Sequence, residues 1–282
     1  MMRPATGKTP RRPRRFSDAK GEVNVATPKN ESVRKAFKLL RAFRNADECL
    51  TSAELSRRAR LPQASGYRLI QTLEEIGAVI RDPRGRYRPG MLLVHLSRNV
   101  EVGDLLRDLS QGVLFDLASH LSLTVHMGVF EDGMVTYVAK VGESAGFAVH
   151  TRVGAQLEAY CTGLGKVLLA ALPLSQLEAF LAEGELVALT PHTITDPAAF
   201  RREINQIRAR GYAVDDGESA SDLRCVAVPV HDSTGKTIAA ISVSDDAHRM
   251  DAERRDEVRI ALQSAAAVIQ HKLSPARESM AA

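Results

Sequence analysis

One short segment combines glycines, a hydroxyl and a lysine in an order that suits anion binding. It is the heptapeptide YCTGLGK at 160–166, and the apolar spacing after it predicts a helix from Gly163 to Leu172. It differs from a phosphate-binding loop, because Tyr160 stands at the first glycine and Val167 at the metal-binding hydroxyl. The free amides and the dipole of the helix start still favour an anion. The alternative is that the glycines serve close packing.

Further polar groups follow in three strand-like stretches. GYAVDDGE runs from Gly211 to Glu218, and Cys225 lies in the RCVAVPV that comes next. In AAISVSD, the alternation of a strand places Ser242 and Ser244 on one face and the apolar Ile241 and Val243 on the other. Two hydroxyls on one strand face beside a helix N-terminus suit a carboxylate, so these segments predict a site for a small acid.

The same residue types do not form the patterns that catalysis or metal binding requires. The sequence has no GxSxG, and its eight histidines never take a close metal-ligand spacing. Asp215, Asp216 and Glu218 cluster like a cation site but lack the spacing of a calcium loop. Cys161 and Cys225 suit buried or cavity-lining thiols better than reactive ones. We therefore expect no catalytic residue, no metal, no cofactor and no enzymatic activity.

Side chains that can read DNA lie near the N-terminus. Thr51–Glu54 has the form of a capping box for a short helix, which ends before Pro62. A second helix runs from Gln63 to Gly77, a favourable C-terminal cap. Its apolar positions at helical spacing are Tyr67, Ile70, Leu73 and Ile76. Its polar positions, which can reach base edges and phosphates, are Gln63, Ser65, Arg68, Gln71 and Thr72. The alternative is an ordinary helical hairpin.

A basic hairpin and an upstream helix complete a winged helix. Strand-like runs at 79–81 and 86–88 flank the turn Asp82–Gly85, and such a wing can lie along the DNA backbone or in the minor groove. Upstream, the apolar residues expected to pack under the motif are Val33, Ala36, Phe37, Leu40 and Phe43. The predicted DNA contacts are Ser52, Gln63, Ser65, Tyr67, Arg68, Gln71, Arg84 and Arg86.

The charge of the chain is divided between its two parts. Residues 1–90 hold 21 Lys and Arg against 9 Asp and Glu, a balance of +12, whereas the other 192 residues hold 17 against 25, a balance of −8. A basic head on a mildly acidic body is typical of a DNA-binding protein, although a solvated basic surface is the alternative. Residues 1–28 predict a disordered arm, which either adds phosphate contacts or is an unremarkable charged tail.

The cysteines and the apolar runs indicate where the protein works. Three widely spaced cysteines without a CxxC pair suggest neither a disulfide framework nor a zinc ribbon, and free thiols fit a reducing cytosol. The N-terminus has no apolar signal segment, and no run approaches the length of a membrane span. We therefore expect a cytoplasmic protein with no membrane partner.

The remainder of the chain predicts an α+β domain at 111–274, with a mostly antiparallel central sheet, before a tail at 275–282. A break near Gly103 divides the helical pattern into a linker helix at 91–110 and a first domain helix, and the apolar stripe of the linker favours a homodimer. The expected strands are 124–130, 134–141, 147–151, 211–215, 224–231 and 237–244. The expected helices are 163–172, 175–183, 197–210 and 251–272.

Five segments make the chain similar to the IclR family of bacterial transcription regulators. They are SVRKAFKLLRAF, LTSAELSRRARLPQASGYRLIQTLEEIG, GRYRPG, CTGLGKVLLA and GYAVDDGESASDLRCVAVPVHDSTGKTIAAISVS. The resemblance runs from Glu31 to Lys272. It implies an N-terminal winged helix-turn-helix at 29–90, a C-terminal effector-binding domain related to the GAF fold, and assembly as a dimer or a dimer of dimers. It also implies that the effector is a small organic acid.

Carried over by position, the resemblance assigns two sets of residues to the effector. Polar and backbone contacts fall on Gly163, Leu164, Asp215, Cys225, Ser242 and Ser244. The apolar wall falls on Val149, Leu157 and Leu223. Two positions depart from the family pattern: Gly66, which costs roughly 1 kcal/mol of helix propensity relative to alanine, and Pro89, at the end of the wing.

Two hypotheses from different classes follow. In the first, the chain is a regulator, either a repressor or a dual regulator, that binds a double-stranded DNA operator and a small organic acid. The acid shifts a conformational population, and the linker passes this on with a coupling of about 1–3 kcal/mol. In the second, the chain is a metabolite-processing enzyme or a carrier with an N-terminal nucleic-acid module. An enzyme needs a positioned acid, base or nucleophile, and the sequence offers only anchoring groups.

Overall fold

The chain folds into two compact units, which meet in the sequence between Asn99 and Val100. The structure is a computed structural model that describes residues 30–45 and 47–273. The arm predicted at 1–28 and the tail predicted at 275–282 lie outside these residues. Within them, no helix is long and apolar enough to cross a membrane. Each unit contains one of the two predicted functional regions.

The first unit is a winged helix. Its elements are α1 (Glu31–Leu40), α2 (Ser52–Arg58), α3 (Gln63–Glu75), β1 (Val79–Arg81), β2 (Tyr87–Pro89) and α4 (Met91–Ser97). The Thr51 hydroxyl accepts the Glu54 amide, and the Glu54 carboxylate accepts the Thr51 amide, so the predicted capping box is confirmed. Gly77 follows α3 with φ +76°, the left-handed conformation that ends many helices and suits glycine.

The core of this unit includes part of the predicted apolar set: Ile70 and Leu73 are buried, and Ala36, Leu40 and Phe43 pack against the core. The buried positions of the first three helical segments include Leu39, Ala42, Leu55, Ile70 and Leu73. Four residues predicted at core spacing are exposed: Val33, Phe37, Tyr67 and Ile76. Gly66 explains the difference on α3, because a Cβ there would lie 2.1 Å from Ser56 Oγ on α2. The face of α3 that contains Gly66, rather than the face that contains Tyr67, therefore packs on α2. The departure from the family pattern at Gly66 is thus a requirement of this packing.

The wing contains a third strand segment that the sequence pattern did not indicate. Leu50 forms an antiparallel bridge with Tyr87, in which each amide donates to the other carbonyl at 2.9 and 2.7 Å. At the tip, Asp82 Oδ1 accepts the amides of Arg84 and Arg86, and Gly85 takes φ +77°. The turn is therefore fixed by one carboxylate, which leaves the arginine side chains outside the hairpin.

The second unit is an α+β domain built on an antiparallel sheet. Its strands are β3 (Thr124–Glu131), β4 (Met134–Val141), β5 (Gln156–Glu158), β6 (Ala213–Asp216), β7 (Leu223–His231) and β8 (Thr237–Asp246). They lie in the order β5-β4-β3-β8-β7-β6. The helices are α5 (Val102–Leu121), α6 (Gly163–Ala170), α7 (Leu174–Ala182), α8 (Pro197–Arg210) and α9 (Ala252–Leu273).

The helices cover both faces of this sheet and form a core on each. Ile241 and Val243 pack with α5 and α9, whereas Ala240 packs with α6, α7 and α8 on the opposite face. This alternation along β8 confirms the predicted division of the strand into two faces. The face that carries α6 is the one on which the predicted ligand residues lie.

Two sequence predictions for this region are wrong. No strand forms at 147–151: Lys140 Nζ donates to the carbonyls of Val149 and Thr151 at 2.6 and 2.9 Å, which holds this segment as a loop. The short strand β5 follows instead.

The linker helix predicted at 91–110 is two helices, α4 and α5, and Gly103 lies in the first turn of α5 rather than at the break. The break covers residues 98–101, because Leu92 and Leu93 pack on the core of the first unit while Leu106 is buried in the second.

Candidate functional site

The first candidate surface is the exposed face of α3. Among the predicted DNA contacts on this helix, Gln63, Tyr67, Arg68 and Gln71 are exposed, as is the neighbouring Thr72, whereas Ser65 is half-buried. Gln71 Nε2 donates to the Tyr67 hydroxyl at 3.2 Å, so these two side chains form one polar group. The core uses the opposite face, and the whole row is available to a partner.

The arginines of this unit supply the charge that a DNA backbone requires. Arg68 on α3 and Arg84 in the wing are exposed, and neither guanidinium makes a hydrogen bond or ion pair with the residues that the structure describes. Arg86 is also exposed and donates weakly to the Cys49 carbonyl at 3.5 Å. Ser52, at the first position of α2, is half-buried. Unpaired arginines beside amide and hydroxyl groups are suited to phosphates and base edges.

The second candidate site begins with a row of side chains across the sheet. The strand register places Asp215 opposite Cys225 and Cys225 opposite Ser244. All three side chains are buried. Residues at directly paired positions lie on the same face of a sheet, so a carboxylate, a thiol and a hydroxyl from three strands form one line.

The start of α6 lies against this row. A Cβ on Gly163 would be 3.0 Å from Cys225 Sγ, so only a glycine lets the helix approach the sheet here without displacement. Thr162 caps the helix by accepting the Gly165 amide at 3.1 Å. The first amides of a helix have no partner within it, so those of Gly163 and Leu164 remain for another acceptor.

The packing alternative for these glycines also holds, but for a different residue. A Cβ on Gly165 would lie 2.1 Å from the Ala159 carbonyl oxygen and 2.4 Å from its Cα. Gly165 is therefore required for the contact between α6 and the preceding loop. Gly163 combines both roles, because its missing side chain brings its amide to the cavity wall.

Asp215 is held by its own loop. Its Oδ1 accepts the amides of Glu218 and Ser219 at 2.7 and 3.3 Å, and its Oδ2 accepts the Ser219 hydroxyl at 2.5 Å. Burial raises the pKa of this carboxyl group against the effect of those hydrogen bonds and of Lys166.

These groups enclose two adjoining cavities. The inner one, of about 50 Å³, contains the polar row, and the outer one, of about 410 Å³, lies beside the loop at 146–151. They are continuous, because six residues line both: Val149, Thr151, Leu157, Thr162, Ser219 and Leu223. Eight of the nine predicted ligand residues line the inner cavity: Val149, Leu157, Gly163, Leu164, Asp215, Leu223, Cys225 and Ser244. Ser242 is absent from the described residues that line either cavity.

Five lining residues were not predicted from the sequence: His126, Tyr137, Thr151, Thr162 and Ser219. Ser219 and Thr162 adjoin predicted positions and were within reach of the sequence pattern. Tyr137 was not, because a β-bulge between Met127 and Gly128 shifts the register of β3 and β4. Val138 and Ala139 therefore both face the α5 side, and Tyr137 faces the cavity beside His126, with ring centroids 5.2 Å apart.

The thiols and the imidazole that line the two cavities are uncharged at neutral pH. Burial raises the pKa of Cys161 to about 12 and that of Cys225 to about 11, with Asp215 acting in the same direction. Burial, and then the nearby Lys140 ammonium, lowers the pKa of His126 to about 3. His126 Nε2 lies 2.6 Å from the Thr151 hydroxyl. The cavity thus offers neutral hydrogen-bonding groups and protonated thiols, and a thiolate nucleophile is disfavoured.

A recognition helix with an exposed polar face and an arginine-bearing wing on one unit, and an enclosed cavity on the other, are the features of a ligand-responsive DNA-binding regulator. Comparison with known proteins agrees. Residues 32–83 match the IclR helix-turn-helix domain, and residues 101–271 match the domain described as bacterial transcriptional regulator IclR C-terminal. The chain therefore belongs to the IclR family of bacterial transcription regulators.

Individual relatives support the same assignment over nearly the whole chain. The HTH-type transcriptional regulator XynR of Escherichia coli K12 is 31% identical over 245 residues, covering 86% of this chain and 97% of its own. The crystal structure of the Thermotoga maritima IclR is 31% identical with a TM-score of 0.58, covering 86% and 98%. An IclR homologue from Microbacterium hydrocarbonoxydans, crystallised with 4-hydroxybenzoate, is 23% identical with a TM-score of 0.58, covering 87% and 100%, and shows the fold alone.

Proposed function

We propose that this regulator binds operator DNA through α3 and the wing, and that a small organic acid in the cavity beside α6 changes this binding. The observation that carries the proposal is the convergence of Gly163 and Leu164, at the start of α6, with Asp215, Cys225 and Ser244 around one cavity. The acid acts from a unit separate from the DNA-binding one, so its effect on DNA is allosteric.

The wall of the cavity favours an acid with an apolar body. In this proposal, the carboxylate accepts the free amides at the start of α6, where the helix dipole also favours a negative charge. The body then lies against Val149, Leu157 and Leu223, in the outer volume of about 410 Å³. A hydroxyl on the ligand would suit Asp215. An aromatic hydroxy acid meets all three requirements, and 4-hydroxybenzoate, found in a distant structural neighbour, is a suitable first probe.

The ligand is proposed to leave unchanged, because the cavity has groups that anchor it but none poised to attack it. The two thiols have pKa values of about 12 and 11, so the thiolate forms are scarce at neutral pH. The alternative of a metabolite-processing enzyme with a nucleic-acid module requires turnover, which a direct assay of the ligand detects.

The signal is proposed to pass through residues 98–101, which join the two units along the chain, and through helix α5. A coupling of about 1–3 kcal/mol is sufficient to change operator affinity between severalfold and a hundredfold. We further propose that the regulator acts in the cytoplasm as a homodimer or a dimer of dimers on a two-part operator, as helix-turn-helix proteins commonly do, and as a repressor that the acid releases.

The DNA part of the proposal is tested with a duplex enriched from a random-sequence library. Arg68→Ala is expected to weaken binding about tenfold, the effect of losing one phosphate or base contact. It is also expected to leave the melting temperature unchanged, since its side chain is exposed and unpaired among the described residues. Arg41→Ala, at an exposed arginine immediately after α1, is the matched control. Binding that ignored both salt concentration and Arg68 would contradict the proposal.

The ligand part is tested by thermal shift of the full chain against a panel of organic acids, starting with 4-hydroxybenzoate. A ligand that binds only the folded protein raises its melting temperature. The acid that does so is then added to the DNA titration, and its concentration is followed over hours. A change in DNA affinity without loss of the acid supports a regulator, whereas consumption of the acid supports the enzyme hypothesis.

A further inference from the structure

The inner and outer cavities beside α6 are together called the effector cavity. A separate cavity of about 370 Å³, called the second cavity, lies on the other side of strand β6. Asp215 faces the effector cavity, whereas its neighbours Val214 and Asp216 line this one, as the alternation of a strand requires. Helix α6 divides in the same way: Gly163 and Leu164 face the effector cavity and Lys166 faces the second one. The two cavities thus share their walls without sharing a lining residue.

The second cavity is lined mainly by charged side chains. Its residues are Lys166, Ile194, Glu203, Arg210, Tyr212, Val214, Asp216, Glu218, Ala252, Arg255, Asp256 and Arg259. Most of the charges already have partners. Arg210 donates to Glu203 and Arg259 donates to Asp256, at 2.8 and 2.6 Å. Both guanidinium groups also lie over the ring of Tyr212.

The buried end of this cavity is an ion pair with one orphaned atom. Lys166, whose side chain is 1% exposed, donates to Glu218 Oε1 and to the Val214 carbonyl. The Glu218 side chain is 6% exposed, and its Oε2 has no hydrogen-bond partner among residues 30–45 and 47–273. Leaving a buried carboxylate oxygen unsatisfied is unfavourable by an amount comparable to a lost hydrogen bond. A structure retains such an atom where something else donates to it.

The partly exposed side of the cavity holds the complementary group. Arg255, near the start of α9, is half-buried, and its guanidinium makes no hydrogen bond or ion pair with any described residue. One unpaired cation and one unpaired acceptor therefore line the same cavity. The matching molecule carries an anionic group for Arg255 and a hydrogen-bond donor for Glu218 Oε2. An ammonium donor is disfavoured at Oε2, because Lys166 already occupies the other oxygen of that carboxylate; a neutral hydroxyl is favoured.

We propose that this cavity is a second ligand site, which binds a small hydroxy acid with its carboxylate on Arg255 and its hydroxyl on Glu218 Oε2. The site is connected to the effector cavity by one hydrogen bond, since the Glu218 amide donates to Asp215 Oδ1 at 2.7 Å. A ligand that orders Glu218 therefore also orders Asp215. The two ligands are expected to bind cooperatively, and by linkage each raises the affinity for the other by the same factor.

The test uses pairs of acids that differ only by a hydroxyl: L-malate with succinate, and L-lactate with propionate. Binding to the full chain is measured by calorimetry, with L-aspartate as the ammonium-bearing comparison. At least one hydroxy acid is expected to bind at least fivefold more tightly than its partner and than L-aspartate. Arg255→Gln is expected to weaken its binding about tenfold, because it removes a charge-assisted hydrogen bond. Arg202→Gln, an exposed arginine outside the cavity, is expected to have no effect.

Two further variants locate the bound molecule. Glu218→Gln is expected to abolish the preference for the hydroxyl, and Ser244→Ala, in the effector cavity, is expected to preserve it. Arg255→Gln keeps the test decisive if Glu218→Gln fails to fold, because Arg255 holds no other described residue in place. The proposal is overturned if no acid of the panel binds, if each pair binds equally, if L-aspartate binds as tightly as the hydroxy acids, or if Ser244→Ala removes the binding while Arg255→Gln does not.

Discussion

The two units present their candidate sites in opposite ways. On the winged helix, most polar side chains of α3 and the arginines of the wing are exposed, and Arg68 and Arg84 have no side-chain partner among the described residues. In the effector domain, the polar groups are buried, and most of them hold one another. A polyanion that approaches from solvent is bound by exposed cations whose removal leaves the fold intact. A small molecule is bound by groups that also belong to the core, so that function and stability share residues there.

The same contrast applies to the glycines that bring elements together. Gly66 lets α3 approach a side chain of α2, whereas Gly165 lets α6 approach the backbone of the loop before it. A serine side chain can rotate or be replaced, but a backbone carbonyl cannot be displaced without moving the chain. Damage is therefore expected to be greater, and harder to repair, in the effector domain.

The largest effect is expected for Gly165→Ala. The new Cβ would meet the Ala159 backbone at 2.1 Å, so the free energy of unfolding is expected to fall by about 3 kcal/mol or more. Gly112→Ala in α5 is the control, because it has open space around it and is expected to stabilise the protein by up to about 1 kcal/mol. Urea unfolding followed by far-UV circular dichroism measures both. Equal stability of the two variants would contradict the contact at Gly165.

A smaller loss, about 2 kcal/mol, is expected for Gly66→Ala in the winged helix. The clash is with Ser56 Oγ, so a second substitution, Ser56→Gly, is expected to restore part of the loss. DNA affinity is expected to fall and recover in parallel, because α3 carries the recognition face. A double variant no more stable than Gly66→Ala alone would show that the two side chains do not interact.

The pH dependence of stability is expected to depend on Glu218. Burial, opposed by Lys166, raises the pKa of Glu218 from 4.5 to about 7. Its contribution to stability is therefore fully present below about pH 4.5 and is lost as the pH rises through about 7. Relative to Glu218→Gln, the wild type is expected to lose on the order of 1–2 kcal/mol between pH 4.5 and 7.5. Urea unfolding at both pH values tests this, and a relative gain at the higher pH would contradict it.

The smallest effect is expected for ligand affinity when the two serines on one face of β8 are replaced one at a time. Ser244 lines the effector cavity and Ser242 does not, so Ser244→Ala is expected to weaken binding of the acid by about 1 kcal/mol, or roughly fivefold. Ser242→Ala is expected to change it less, contrary to the assignment made by position. Calorimetry with the acid found by thermal shift compares them, with DNA binding in its absence as the control. A stronger effect at Ser242 would show that the acid binds beside Ser242, two residues before Ser244 on β8.

The sequence was sufficient to predict the winged helix and most elements of the effector domain. Capping residues, turn residues and apolar alternation are local signals, and they predicted α8, β4 and the faces of β8 well. Elsewhere some predicted elements and faces were wrong, because they depend on contacts between residues far apart in the sequence. Lys140 binds two loop carbonyls where a strand was expected at 147–151, and the bulge in β3 turns Tyr137 toward the cavity. The contact with Ser56 places Gly66 rather than Tyr67 in the packed face of α3.

The hydrogen bonds of Lys140 also affect how long a bound ligand is expected to stay in the cavity. One ammonium holds the carbonyls of Val149 and Thr151, and His126 holds the Thr151 side chain, in the loop that lines the outer cavity. These three bonds are expected to slow the departure of a molecule that leaves past this loop. Its residence time would then depend on the loop as well as on its own contacts, and the response to a falling concentration of the acid would be delayed.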